Sequence, residues 1–246
     1  MKVATIARMK KTELAARIDH TLLAATASPG EVVTLVHEAV SHGFASVCVN
    51  PVYVPAVREL LDEIAKDTPH EVKLCAVASF PLGAVTPMQR AIEATQSVKS
   101  GAEEIDLVCW LPRIIHLDEP MLRSDLLETT RAVRASRPSC VVKAIIETGA
   151  LREAADDDAA FEKMIECACS AARGAGCDYV KTSTGFHSAG GATVEAVRLM
   201  RKHSDGLKVK ASGGVRTYDD AMAMFEAGAD RIGASSSVKI VEGAPD

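Results

Sequence analysis

The strongest constraint on this chain is a rhythm: short runs of aliphatic and β-branched residues alternate with longer helix-like segments from one end to the other. The runs begin near Ile18, Ser46, Lys73, Glu104, Val141, Asp178, Lys208 and Arg231, and each interval has room for one strand, one helix and two loops. That alternation predicts βα units around a parallel sheet. Eight such units match a closed (β/α)8 barrel of the TIM class, for which 246 residues is an ordinary length. Length alone would also accommodate two small domains, but no low-complexity or proline-rich stretch marks a boundary. The reading is therefore one α/β domain over residues 1–246. The rival is an open doubly wound sheet, which should carry a GxGxxG turn after its first strand; the chain reads Asp19-His20-Thr21-Leu22 there instead. Thr12-Glu13-Leu14-Ala15 predicts a short N-terminal helix over the barrel floor.

The punctuation between units agrees. Ser28-Pro29-Gly30-Glu31 and Thr86-Pro87-Met88-Gln89 each place a hydroxyl cap, a proline at the first helical position and a capping-box partner at the third. Gly43, Gly101, Gly176 and Gly228 each fall between a helix-like segment and the next strand, where a left-handed residue ends the helix. The acidic run Asp156-Asp157-Asp158 fits a solvated helix start favoured by the helix dipole.

Strands buried on both faces should be nearly continuous apolar runs, so a charge in the middle of one requires a reason. Asp106, Lys143, Lys181 and Lys210 all break this rule. Alternation along each strand allows all of them to point to the barrel axis while their apolar neighbours face the helices. An isolated buried charge is expensive, whereas lysines and a carboxylate meeting in one barrel compensate one another. The bland alternative is a set of unrelated strand-end lysines reaching solvent. Convergence has a chemical use: an amine near its reference pKa of about 10.4 is protonated at neutral pH, and desolvation or a second cation disfavours the ammonium form. One amine could then attack a carbonyl, another lower its pKa, and a carboxylate move protons.

The loops after the last two strands read Ser212-Gly213-Gly214-Val215-Arg216 and Gly233-Ala234-Ser235-Ser236. Glycines let backbone N–H groups approach an anion, and a helix starting near Ser235 would aim its positive end at the same place. Simple Gly-Gly turns are the alternative. The net charge of −5 with no basic block argues against nucleic-acid binding but leaves room for a small anion in a local pocket. The 7 cysteines are scattered without a CxxC pair, as expected of a reducing cytoplasm. No stretch of about 18 apolar residues predicts a membrane span, and the histidine spacing suggests no metal site.

Taken in order, Ile18-Asp19-His20-Thr21-Leu22-Leu23, Ser79-Phe80-Pro81-Leu82-Gly83, Glu104-Ile105-Asp106, Lys143-Ala144-Ile145-Ile146-Glu147-Thr148-Gly149, Lys181-Thr182-Ser183-Thr184-Gly185-Phe186, Lys210 through Arg216 and Gly233 through Ser236 resemble the motifs of the deoxyribose-phosphate aldolase family. The resemblance runs from the first strand to the last. It implies reversible cleavage of 2-deoxy-D-ribose 5-phosphate to D-glyceraldehyde 3-phosphate and acetaldehyde, without a metal or organic cofactor. It also implies a Schiff base on Lys181, perturbed by Lys210, with Asp106 in a proton relay. Lys143 matches a family position that pairs with Asp106 or orders a water, and a structural ion pair is the competing reading. Phosphate would bind at Gly185, Gly213, Gly214, Gly233, Ser235 and Ser236, with Arg216 beside them. Cys48 matches a cysteine that lies near the substrate in relatives, against the plainer reading of a buried small hydrophobe. His20, at a strand end, is placed to touch the ligand, and a homodimer is implied.

Two departures stand out. Leu107 through Arg113 does not follow the family's usual continuation, and the C-terminal tyrosine that assists proton transfer in some members has no counterpart among Tyr53, Tyr179 and Tyr218. Lys208 could share a face with Lys210, although a strand-start lysine at the surface is the simpler reading. Two alternatives remain: another phosphosugar barrel enzyme, such as an isomerase or synthase sharing only the phosphate loops, or a catalytically silent phosphometabolite-binding barrel.

Overall fold

The computed structural model describes residues 9–245. Its strands are β1 (Ile18–Leu22), β2 (Ser46–Val49), β3 (Lys73–Ala78), β4 (Glu104–Val108), β5 (Val141–Ile145), β6 (Tyr179–Lys181), β7 (Lys208–Ser212) and β8 (Arg231–Ala234). They pair in sequence order, and β8 returns to β1 with Gly233 opposite Asp19, so the barrel is closed and parallel throughout. The helices are α1 (Lys11–Ala15), α2 (Pro29–His42), α3 (Val54–Asp67), α4 (Pro87–Lys99), α5 (Leu111–Ile115), α6 (Glu119–Ser136), α7 (Thr148–Ala154), α8 (Asp158–Gly174), α9 (Val194–His203), α10 (Tyr218–Ala227) and α11 (Ser237–Glu242).

Strand starts fall where the sequence rhythm places them, except that β6 begins at Tyr179, one residue after Asp178. The cause is local. Asp178 spends its carboxylate as a cap, with Oδ2 accepting from the Val142 N–H at 2.8 Å and from Arg134 at 3.0 Å. Both expected capping boxes form: Ser28 and Glu31 exchange hydrogen bonds at the start of α2, and Thr86 and Gln89 do so at the start of α4. Asp157 caps α8 through the Ala160 N–H at 2.7 Å, so the acidic run is a helix start. The N-terminal helix begins at Lys11, one residue before Thr12, and packs against α11.

The strand faces divide the interior in two. Outward-facing Val47, Leu74, Ala76, Ile105, Leu107, Val142, Ala144, Val180, Val209, Ala211 and Ile232 are fully buried against the helices and form the main core. Inside the barrel a small apolar cluster of Leu23, Cys48, Cys75 and Val77 packs with Phe80, and beside it the inward faces of β1 and β4 to β8 carry an ionic cluster. His20 belongs to the outer layer: its Nε2 meets Glu38 of α2 at 2.8 Å and its ring lies 5.0 Å from that of Phe44. The expectation that His20 touches a ligand is therefore corrected. It is an even-numbered residue on a strand whose inward positions are Asp19 and Thr21.

Candidate active site

Asp106, on β4, lies at the centre of the barrel. Its Oδ2 accepts from Lys181 Nζ on β6 at 2.7 Å and from Lys210 Nζ on β7 at 2.7 Å. Its Oδ1 accepts from Lys143 Nζ on β5 at 2.8 Å and from the Cys75 thiol at 3.2 Å. Register explains the convergence, because Asp106 stands opposite Lys143 and Lys181 opposite Lys210 in adjacent strand pairs. The bland reading of separate solvent-seeking lysines fails, since Lys143 and Lys210 are fully buried and Lys181 is 2% exposed. Lys208, by contrast, is exposed and its ammonium sits 5.6 Å from the Tyr179 ring centroid, apart from this cluster.

The network extends beyond the residues picked from the sequence. Asp19 on β1 pairs with Lys210 at 2.5 Å, with Arg231 at 2.7 Å and with Lys143 at 3.7 Å. Glu104 pairs with Lys143 at 2.5 Å and with Arg231 at 3.8 Å. The signal for both was present: Asp19 is a charge inside a strand, and Glu104 is two residues from Asp106 and so shares its face.

Burial pushes the Asp106 carboxyl up, but Lys143, Lys181 and Lys210 together outweigh it and hold the group well below the ordinary carboxylate range. Asp19 is likewise pushed up by burial and brought down by Lys210, Arg231 and Lys143, ending below its usual value. Burial alone would lower the Lys143 and Lys210 amines. For Lys143 the carboxylates Asp106, Glu104 and Asp19 with Cys75 reverse that and raise it well above normal; for Lys210, Asp106 and Asp19 do the same. Both shifts favour the ammonium form of these lysines.

A cavity of about 380 Å³ opens above this cluster at the C-terminal ends of the strands. Of the three interior lysines only Lys181 is on its wall. Gly185, Gly213, Gly214, Arg216, Gly233, Ser235 and Ser236 all line it, together with Thr21 to Ala24 on the β1 side and Phe186. The loops after β6 and β7 are laced by backbone: a Cβ on Gly191 would lie 2.2 Å from the Gly213 carbonyl oxygen, so only glycine permits the approach. Thr182 Oγ1 donates to the Ser212 carbonyl at 3.0 Å and accepts from its N–H at 3.0 Å, fixing the same junction. Gly233 does more than line the cavity, since a Cβ there would lie 2.8 Å from Lys210 Cε; its bareness makes room for that lysine.

Cys48 does not line the cavity. It stands opposite Cys75 in the strand register and packs beneath Leu23 with Cys75 and Val77. Its hydrogen bond with Cys75 pulls the Cys48 thiol down against the effect of burial, while burial and the same contact push Cys75 up. Cys48, Cys75 and Asp106 place their ligand atoms within 4.8 Å of one another, and the Lys143 amine already reaches two of the three, 2.8 Å from the carboxylate and 3.4 Å from the Cys75 sulfur. The unusual 107–113 segment turns from β4 into α5 and stays off the main cavity wall; its Leu111 borders a side recess of about 90 Å³, and its Trp110 and Arg113 border a separate pocket of about 420 Å³. Tyr53, Tyr179 and Tyr218 are also absent from the cavity wall.

A closed α/β barrel with a lysine on its cavity wall, a carboxylate beneath it and backbone-lined loops at the last strand ends is the build of a barrel enzyme acting on a small anionic substrate. The chain belongs to the DeoC/LacD family of aldolases, whose model matches residues 14–243. It is 46% identical over 239 residues to the deoxyribose-phosphate aldolase of Caldanaerobacter subterraneus, covering 95% of this chain and 96% of that one. It is 44% identical to that of Thermococcus kodakarensis, covering 97% and 100% respectively. Among solved structures, a deoxyribose phosphate aldolase from Aeropyrum pernix, described as tetrameric, superposes with a TM-score of 0.81 at 33% identity over 95% of this chain and 91% of that one.

Proposed function

We propose that this enzyme reversibly cleaves 2-deoxy-D-ribose 5-phosphate into D-glyceraldehyde 3-phosphate and acetaldehyde through a Schiff base on Lys181. The observation that carries the reading is that Lys181 alone among the interior lysines reaches the cavity wall while sharing Asp106 Oδ2 with Lys210. Lys143 and Lys210 lie off the cavity wall in ion pairs with Glu104, Asp19 and Asp106, which leaves Lys181 as the amine placed for addition to the open-chain sugar aldehyde at C1. Loss of water gives a protonated imine. Transfer of the C3 hydroxyl proton into the Asp106 relay then breaks the C2–C3 bond, and the electron pair enters the imine to give an enamine rather than a free carbanion. The C3 carbonyl leaves as glyceraldehyde 3-phosphate. Protonation of the enamine at C2 and hydrolysis of the imine release acetaldehyde and restore Lys181. Asp106, held ionised, fixes the two amines at one oxygen, and Lys210 is the adjacent proton donor of the relay. Lys143 anchors the other side of Asp106 from below the cavity.

The substrate phosphate is assigned to the end formed by Gly185, Gly213, Gly214, Ser235 and Ser236, with Arg216 and Gly233 on the same wall. The free cysteines, all buried, fit a reducing cytoplasm, and among the described residues no helix is long and apolar enough to cross a membrane. The test is to incubate the enzyme with acetaldehyde and borohydride and map the product by mass. A reduced two-carbon adduct on Lys181, absent from Lys181→Ala, is expected; an adduct spread over surface lysines, or none, would overturn the Schiff-base reading in favour of an isomerase or a binding protein.

A further inference from the structure

Glu147, the residue two beyond the end of β5, has no local reason to be glutamate. Its backbone is left-handed, with φ 53° and ψ 61°, a conformation that glycine and asparagine adopt far more readily. It occupies the N-cap position of α7 yet makes no capping bond, and glutamate is not a favoured N-cap residue. It is 3% exposed, and among the described residues no basic side chain forms an ion pair with it. Each of these features costs stability, so the compensation must lie in what the carboxylate holds.

What it holds is the turn after β6. Oε2 accepts from the Thr184 N–H at 3.1 Å and from the Thr184 hydroxyl at 2.5 Å, and Oε1 lies 3.3 Å from the same N–H. Thr184 Oγ1 in turn accepts from the Phe186 N–H at 3.1 Å. On either side of Glu147 the backbone extends the β5–β6 ladder, the Ile146 N–H donating to the Lys181 carbonyl at 3.0 Å and the Thr148 N–H to the Thr182 carbonyl at 2.8 Å. The carboxylate thus reaches one step past the ladder. Thr184, Gly185 and Phe186 all line the main cavity, and Gly185 rests on its far side against the Gly213 turn. The 184–186 turn is therefore gripped between Glu147 on the β5 side and Gly213 on the β7 side.

We infer that Glu147 is a positioning residue that holds the 184–186 turn in the shape that receives the substrate's phosphate, and so sets the preference for phosphorylated over unphosphorylated sugars. This rests on the phosphate assignment above. Glu147 touches neither the main cavity nor the reacting carbons; it acts through Thr184 and Gly185.

The test compares kcat/KM for 2-deoxy-D-ribose 5-phosphate with that for 2-deoxy-D-ribose, in wild type, Glu147→Ala and Glu147→Gln. Removing hydrogen bonds to a charged acceptor is expected to lower the phosphorylated-to-unphosphorylated ratio about tenfold in Glu147→Ala, through a raised KM for the phosphate ester. Glu147→Gln keeps an acceptor for the Thr184 N–H and is expected to hold the ratio within about threefold of wild type. If Glu147→Ala fails to fold, Glu147→Gly, at ease with positive φ, makes the same comparison. An unchanged ratio, or an equal fall for both sugars, would overturn the role of Glu147. A wild-type enzyme with no preference for the phosphate ester would instead overturn the phosphate assignment, so the two failures are distinct.

Discussion

Replacing Gly233 by alanine tests whether the interior charges hold their places as tightly as their burial implies. The backbone does not stand in the way, because Gly233 is not among the glycines with positive φ. The obstacle is Lys210: the new methyl would sit 2.8 Å from its Cε and 3.2 Å from Ser212 Cβ. That is roughly 0.7 Å inside the ~3.5 Å at which carbon atoms rest together. A surface lysine would swing away. Lys210 is fully buried and pinned by Asp19 at 2.5 Å and Asp106 at 2.7 Å, so giving way means lengthening both ion pairs. Overpacking of this kind costs about 1–3 kcal/mol, which urea denaturation will read as a lower midpoint at unchanged slope. Displacing the ammonium beside the reacting imine by about an ångström is expected to lower kcat on the order of 10²-fold. Any change in KM reads Gly233's own place on the phosphate wall and is separate from the fall in kcat, which reads the displacement of Lys210. A Gly233→Ala enzyme with wild-type midpoint and wild-type kcat would refute the reasoning, showing that Lys210 has slack the contacts do not reveal.

Two further outcomes follow from the same interior. Asp19 and Asp106 are held below their ordinary values, so the stability they contribute is complete above the unfolded-chain pKa of about 3.9 and is lost as pH falls below it. Lys143 and Lys210 are raised, so theirs is complete below about pH 10.4 and lost above it. Urea midpoints should thus be flat across neutral pH and fall steeply in acid; Asp106→Asn, which leaves buried ammonium groups short of a partner, should cost about 3–5 kcal/mol at pH 7 and a smaller amount below about pH 4, and an equal cost at both would contradict the ion-pair account. Burial raises the thiols of Cys109, Cys140 and Cys169 to about 12 and that of Cys167 to about 11. An aromatic disulfide reagent at pH 8 should label none of the 7 cysteines rapidly until the chain unfolds; a fast-reacting thiol in the native state would show an opening of the barrel that the packing excludes.

The barrel could be read from spacing because strand, helix and turn each leave a local mark, and the marks recur in every unit. Asp106, Lys143, Lys181 and Lys210 were legible for a related reason, as charges where buried strands should be apolar. Asp19 carries the same mark less plainly, as the second residue of its strand, close to a turn. Arg231 reads as a strand start, yet it shares the inward face of Gly233 and completes the pair with Asp19. Gly233 read as part of an anion loop, and its packing against Lys210 depends on a neighbouring strand that no local pattern reports. Glu147 was hidden most deeply: an acidic residue before a helix looks like an ordinary helix start, and its partner, Thr184, is a whole βα unit away.

The close seating of Gly191 on Gly213 divides the mouth of the barrel into unlike halves. In the turns after β6 and β7, Gly185, Gly213 and Gly214 stand at positive φ and Gly191 seats on Gly213, so an added side chain collides or strains the turn; on the rim after β1, next to β8, Leu22, Leu23 and Ala24 present side chains that another residue could replace. Variation is therefore channelled. Lineages or laboratory libraries starting from this sequence can reshape the region that meets the aldehyde by single substitutions at that rim, while the anchoring end stays fixed, and changing what is anchored would require moving two loops at once.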